Sequence, residues 1–171
     1  MFEDKRVPKA KRKHAYKEGD SVKAEHVNPF IISVCKIMKD MCMLDLKFGK
    51  PALSKGSYAA DASIIKLGLV GSLEGQVLLN IERPTALEIV SKMMMAPVSQ
   101  IDALGESAIS ELGNMIAGNA ATVFANNGVA IDITPPTYFV GGDFELEVPA
   151  VFSIPFTSDA GNLTVDVYIK E

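Results

Sequence analysis

The stretch from Asp102 to Asn126 reads as one long helix, and a chain of 171 residues has to be assembled around it. Asp102 stands where an aspartate oxygen can satisfy the amide protons left free in a first turn. Ile109, Leu112, Ile116, Ala120 and Val123 then recur at the spacing of a single buried stripe. Such a stripe has to lie on another layer of structure. At about 100° per residue, Ser107, Glu111, Asn114 and Gly118 fall in a narrow arc on the far side. A solvated helix face normally mixes lysines with glutamates. This one carries a hydroxyl, an acid, an amide and then two flat residues, Gly118 and Ala121. Glu111 and Asn114 are three apart, so their side chains stand side by side.

The rest of the chain can be placed around that stretch. Asn28 and Pro29 are expected to open an earlier helix, with Asn28 as its cap and Pro29 in its first position. The stripe of that helix is Ile31, Val34, Cys35, Met38, Met41 and Cys42, ending near Leu44. Residues 62–70 and 75–82 read as strands of a hairpin. Arg83 starts a further helix to about Ala96, and Met93, Met94 and Met95 are expected to belong to the core. Asn126, Asn127 and Gly128 stop the long helix, because Asn and Gly accept left-handed backbone angles. A short strand is expected at 138–140, a turn at 141–143, and a second hairpin from 150–157 and 162–170.

Gly75-Gln-Val-Leu-Leu-Asn-Ile81 aligns with Gly161-Asn-Leu-Thr-Val-Asp-Val167 at an offset of 86. The same offset carries Glu25 and Asn28 onto Glu111 and Asn114. Each half, about 22–96 and about 102–171, is a helix, an irregular segment and a hairpin. The expected fold is therefore α+β, two long helices packed on an antiparallel sheet with a pseudo-two-fold internal repeat.

Ser107-x-x-x-Glu111-x-x-Asn114, followed by Met115-Ile-Ala-Gly-Asn-Ala120, resembles the signature of the CheC/CheX/FliY phosphatases of bacterial chemotaxis, with the single-site CheX type nearest. The resemblance runs from about Val22 to the C-terminus. It implies the same fold, a homodimer paired through its sheets, and hydrolysis of the phospho-aspartate of a CheY-type response regulator. It also implies that Glu111 docks against a receiver lysine and that Asn114 orients the attacking water. Ser107 would then sit at the rim, and Gly118 and Ala121 would let a partner's loop come close. Two-site relatives carry a pair in each half, so Glu25 and Asn28 are a candidate second site, although an Asn28 used as a cap could not also orient water. One departure stands out: the resembled pattern has a proline after 22 intervening residues, where this chain has Thr137 preceded by Pro135 and Pro136.

Several chemistries are excluded. No cysteine-based phosphatase loop, Ser-His-Asp set or nucleotide-type glycine loop is present. Two histidines and two cysteines lack metal-ligand spacing, so no metal and no cofactor of its own is expected, and Mg²⁺ would come with the receiver. Cys35 and Cys42 would lie ~10 Å apart along one helix, too far for a disulfide. Residues 1–24 hold eight Lys/Arg against four Asp/Glu, and the remainder nine against seventeen. Residues 1–20 are expected to be a basic flexible arm before a single domain, 21–171. The acidic body would repel nucleic acid. No apolar run reaches the ~20 residues of a membrane span, and no apolar leader core is visible, which points to the cytoplasm.

What remains is an amide that can hold a water in line with phosphorus, in a loose transition state that asks mainly for positioning. The competing expectation is a non-catalytic adaptor that binds a receiver, a receptor-modifying deamidase or a flagellar switch component. Such an adaptor has no need of Asn114 beside Glu111.

Overall fold

Strands from the two halves of the chain meet at the centre of one sheet. In the computed structural model, which describes residues 23–170, β4 (Glu74–Ile81) runs antiparallel to β8 (Gly161–Lys170). Their register extends from Glu74 opposite Lys170 to Ile81 opposite Leu163. Each central strand has its hairpin mate outside it. β3 (Ser63–Gly71) pairs with β4, and β7 (Val151–Ser158) pairs with β8. Short strands finish the edges: β1 (Lys47–Phe48) and β2 (Ala52–Ser54) on β7, and β5 (Ile131–Ile133) and β6 (Thr137–Val140) on β3. Every pairing is antiparallel. The two hairpins were legible as alternating apolar runs, whereas β5, three residues long, carries too little pattern to read.

Three helices cover one face: α1 (Ala24–Cys42), α2 (Arg83–Met94) and α3 (Ala103–Asn126). Strand side chains alternate between faces, so Ile65, Leu67, Leu69, Val77, Leu79, Val165 and Val167 point at the helices and share one core with them. From α3 that core takes Ile109, Leu112, Ile116 and Ala120, while Val123 is half-buried. α1 and α3 lock together through the edge-to-face rings of Phe30 and Phe124, 5.4 Å apart. Asn119 Nδ2 also donates to Ser33 Oγ at 2.9 Å, and Ser33 donates to the Pro29 carbonyl at 2.7 Å. On the other face a smaller apolar cluster of Ala62, Ile64 and Leu78 is roofed by Tyr58, Phe139, Phe144 and Leu146. At its margin Asp166 is buried and accepts a bond from the Tyr58 hydroxyl at 2.8 Å. Burial pushes its carboxyl above the usual range, partly offset by hydrogen bonds from Ser153, Tyr58 and Thr164.

Two readings of the sequence need correction. Asn28 is not a cap, and Pro29 is not the first helical residue. α1 begins at Ala24 after Lys23, which makes no side-chain cap bond, and Pro29 lies inside the helix. The reason is packing: Val27 is buried with Phe30 and Ile31, so an extra turn is held on the core although Pro29 cannot donate to the Glu25 carbonyl. The methionines also divide. Met93 and Met94 pack against the core, but Met95 ends α2 in the left-handed region, φ 57°, and is 92% exposed.

Cys42 lies in the core and Cys35 packs against it. Burial raises Cys35, and Cys42 is pushed up to about 11 by burial with the charge of Glu88 adding to it. The basic arm, 1–20, lies outside the described residues. Among those residues no helix is long and apolar enough to cross a membrane.

Candidate active site

α3 is a well-made rod. Asp102 Oδ1 accepts the Gly105 amide at 2.8 Å, the cap anticipated from the sequence. At its far end, Gly128 turns the chain with φ 82°. Gly113 sets how close the helix lies to the sheet. A Cβ there would come within 2.8 Å of Ile65 Cγ2, so α3 sits against β3 with no room for one more carbon.

On the outer face, Ser107, Glu111, Asn114 and Gly118 are exposed and Ala121 is half-buried. Glu111 and Asn114 therefore point to solvent from a helix whose back is fixed. Ser107 folds back, its hydroxyl donating to the Ala103 carbonyl at 3.1 Å, which suits a rim residue better than a reacting one. Gly118 has nothing within 4 Å of where a Cβ would sit. A mid-helix glycine costs ~1 kcal/mol relative to alanine, and among the described residues no contact accounts for it.

The face is not bare. Beside it lies a cavity of about 400 Å³, lined from α3 by Ala103, Glu106, Ser107, Ser110, Glu111 and Asn114 and from the opposite side by Pro136 and Tyr138. The sequence had not marked Glu106, Ser110, Pro136 or Tyr138. Ser110 lies about 100° from Glu111 round the helix, so helical periodicity alone could have found that flank. Pro136 takes the wall one residue before Thr137, where the resembled pattern has its proline. Tyr138 had no signal, because it arrives through the pairing of β6 with β3, opposite Ile65.

The lining contains two carboxylates, three hydroxyls and an amide, and no lysine, arginine or histidine. Among the described residues no ion pair engages Glu106 or Glu111. Burial raises the Tyr138 phenol, with the charge of Glu106 adding to that and the hydrogen bond with Ser63 opposing it. Also among the described residues, no cluster of three His, Cys, Asp or Glu side chains could hold a metal ion.

Glu25 and Asn28 lie on α1, away from this cavity. Both are exposed and three apart on a helix, so the pair exists as a pair once Asn28 is released from capping. Its carboxylate is shared, however, 3.9 Å from Lys23 Nζ and 3.7 Å from His26 Nε2.

Comparison with known proteins places the chain in a family. The chain is 36% identical over 125 residues to the CheY-P phosphatase CheX of Thermotoga maritima, covering 72% of this chain and 81% of that protein. A CheC-like superfamily protein from Shewanella sp. PV-4 superposes with a TM-score of 0.79 at 26% identity, over 88% of this chain and 100% of the other. The Borrelia burgdorferi chain in a CheX-CheY-BeF3-Mg complex superposes with a TM-score of 0.72 at 26% identity, over 87% and 100%. Residues 63–157 match the family described as Chemotaxis phosphatase CheX, and with the Thermotoga relative at 36% identity the chain belongs to the CheX family of chemotaxis phosphatases.

Proposed function

We propose that this chain accelerates the loss of phosphate from the phospho-aspartate of a CheY-type receiver domain, working in the cytoplasm. The carrying observation is that Glu111 and Asn114 stand exposed, side by side, on a capped helix at the edge of a cavity with no positive side chain in its lining. A free phosphate ester would be repelled by Glu106 and Glu111. A receiver's phosphoryl group comes already neutralised by a lysine and a bound Mg²⁺. The Thermotoga relative's name and the Borrelia complex support that partner and that metal.

In this reading Glu111 forms a charge-assisted bond to the receiver's lysine and fixes the register. The Asn114 carbonyl accepts from a water while its NH₂ faces the phosphoryl oxygens, so the water lies in line with the bond to be broken. The water's oxygen bonds to phosphorus as the aspartyl oxygen leaves with the electron pair. The receiver's carboxylate is regenerated and inorganic phosphate departs. Gly118 and Ala121 leave room for the partner's loop, and Ser107 shapes the rim.

The direct experiment follows phosphate release from a receiver charged with acetyl phosphate, with and without this chain. Acceleration with the receiver, and none with acetyl phosphate alone, is the expected result. Equal rates with and without the chain would favour the adaptor reading, in which the protein binds a receiver, a deamidase or a flagellar switch component without turnover.

The 86-residue offset places Leu79 on Val165 and Ser33 on Asn119, and both pairs are in direct contact. Residues exchanged by a two-fold axis meet only on that axis, which supports the pseudo-two-fold repeat and, with it, the equivalence of Glu25–Asn28 to Glu111–Asn114. We assign turnover to the α3 pair alone. For assembly we propose a homodimer joined through the sheet, on whose helix-free side the exposed Val70 lies beside the half-buried Val148. A sedimentation mass of one chain at micromolar concentration would refute it.

A further inference from the structure

The cavity has two walls, and only α3 has been given a role. The opposite wall is held as firmly as the helix. Thr134 is pinned to Gly68 twice: the Gly68 amide donates to Thr134 Oγ1 at 2.8 Å, and the Thr134 amide donates to the Gly68 carbonyl at 3.0 Å. The contact is close enough that a Cβ on Gly68 would meet Thr134 Oγ1 at 2.9 Å. Pro135 and Pro136 follow, each with φ fixed by its ring. Tyr138 then pairs with Ile65 in β3, packs its ring against the main core, and shares a 2.7 Å hydrogen bond with the buried Ser63 hydroxyl. Backbone register, core packing and a hydroxyl tether therefore all hold one aromatic ring that lines the same cavity as Glu111 and Asn114.

A ring held by strand register and core packing matters to a reaction that depends on positioning. A helix face alone lets a docked partner rock about the helix axis, which swings the water away from the phosphorus. A fixed plane facing the helix removes that freedom. We propose that Tyr138 is a positioning residue of the phosphatase: its ring is the stop against which the receiver's phosphorylated loop seats, so that the Asn114 amide meets the phosphorus in line. The inference rests on the reading of Glu111 and Asn114 given above. It assigns to the ring a part in turnover, and not merely in folding or affinity.

The test compares wild type, Tyr138→Phe and Tyr138→Ala as full chains. Phosphate release is measured at saturating acetyl-phosphate-charged receiver, and affinity is measured for the same receiver loaded with beryllofluoride. A misplacement on the scale of an ångström costs up to ~100-fold in rate, so Tyr138→Ala is expected to lower kcat by about 10- to 100-fold with a much smaller change in affinity. Tyr138→Phe, which keeps the plane, is expected to restore most of the rate. Should Tyr138→Ala melt below the assay temperature, Tyr138→Leu takes its place, keeping apolar contact with the core without the plane.

The proposal is overturned if kcat stays within about twofold of wild type while only KM or the melting temperature moves. It is overturned equally if Tyr138→Phe falls as far as Tyr138→Ala. A wild-type chain that gives no acceleration would sink the phosphatase reading itself, a result plainly different from a normal wild type beside an unaffected variant.

Discussion

Glu25–Asn28 on α1 and Glu111–Asn114 on α3 are the same two side chains at the same spacing, and both pairs are exposed. Their surroundings differ at every point that matters for docking. Asp102 caps α3, whereas α1 starts without a side-chain cap and carries Pro29 in its body. Glu111 has no ion pair among the described residues, while Glu25 lies within 4 Å of both Lys23 and His26. The Lys23 pair, exposed at both ends, is worth at most ~1 kcal/mol, so it dilutes a docking charge rather than locks it. One turn beyond Asn114 stands Gly118, open to solvent. The residue 86 places earlier, one turn beyond Asn28, is Ile32, 51% exposed. Beside α3 lies the Pro136–Tyr138 wall. A short motif is therefore only half of what the proposed site requires. The other half is a free carboxylate, a clear approach and a rigid backing.

The largest effect should come from removing one pair and then the other. Glu111→Ala with Asn114→Ala is expected to bring phosphate release down to the receiver's own rate, and Glu25→Ala with Asn28→Ala to leave it within about twofold of wild type. Activity surviving the first double variant would transfer a share of turnover to α1.

A narrower test makes α3 resemble α1. Gly118→Ile should raise KM for the charged receiver by about tenfold or more, since a branched side chain on a contact face obstructs close approach. It should also raise the melting temperature slightly, because isoleucine is a better helix former than glycine by ~0.5 kcal/mol. A normal KM would mean that no partner loop passes over this face.

The smallest effect concerns the rod itself. Asp102→Ala should cost ~1 kcal/mol of stability, read from chemical denaturation. Lys23→Ala, at an end with no side-chain cap bond to lose, should cost nothing measurable. Equal losses would show that the capped end of α3 has no special standing.

Much of this contrast could be read from the residues, and the part that could not has a physical reason. The long helix, its cap, both hairpins and the exposed Glu111–Asn114 pair are local patterns, visible wherever periodicity and turn chemistry agree. At Asn28–Pro29 two local signals agreed on a helix start and were overruled by Val27, whose burial adds a turn before the proline. Tyr138 reaches the site only because β6 lies beside β3, some 70 residues back along the chain. Nothing near residue 138 announces that neighbour. The rows of charge and amide were thus legible, and the wall that completes the cavity was not.

In the proposed reaction Asn114 acts on the bound phosphoryl group rather than on binding. The measurement is the rate of phosphate release from a saturating charged receiver by Asn114→Ala, taken together with that variant's affinity for the beryllofluoride-loaded receiver. A loss of about 100-fold or more in the catalysed rate is expected, the scale on which positioning acts, with affinity nearly unchanged. A variant that binds and turns over like wild type would contradict it outright.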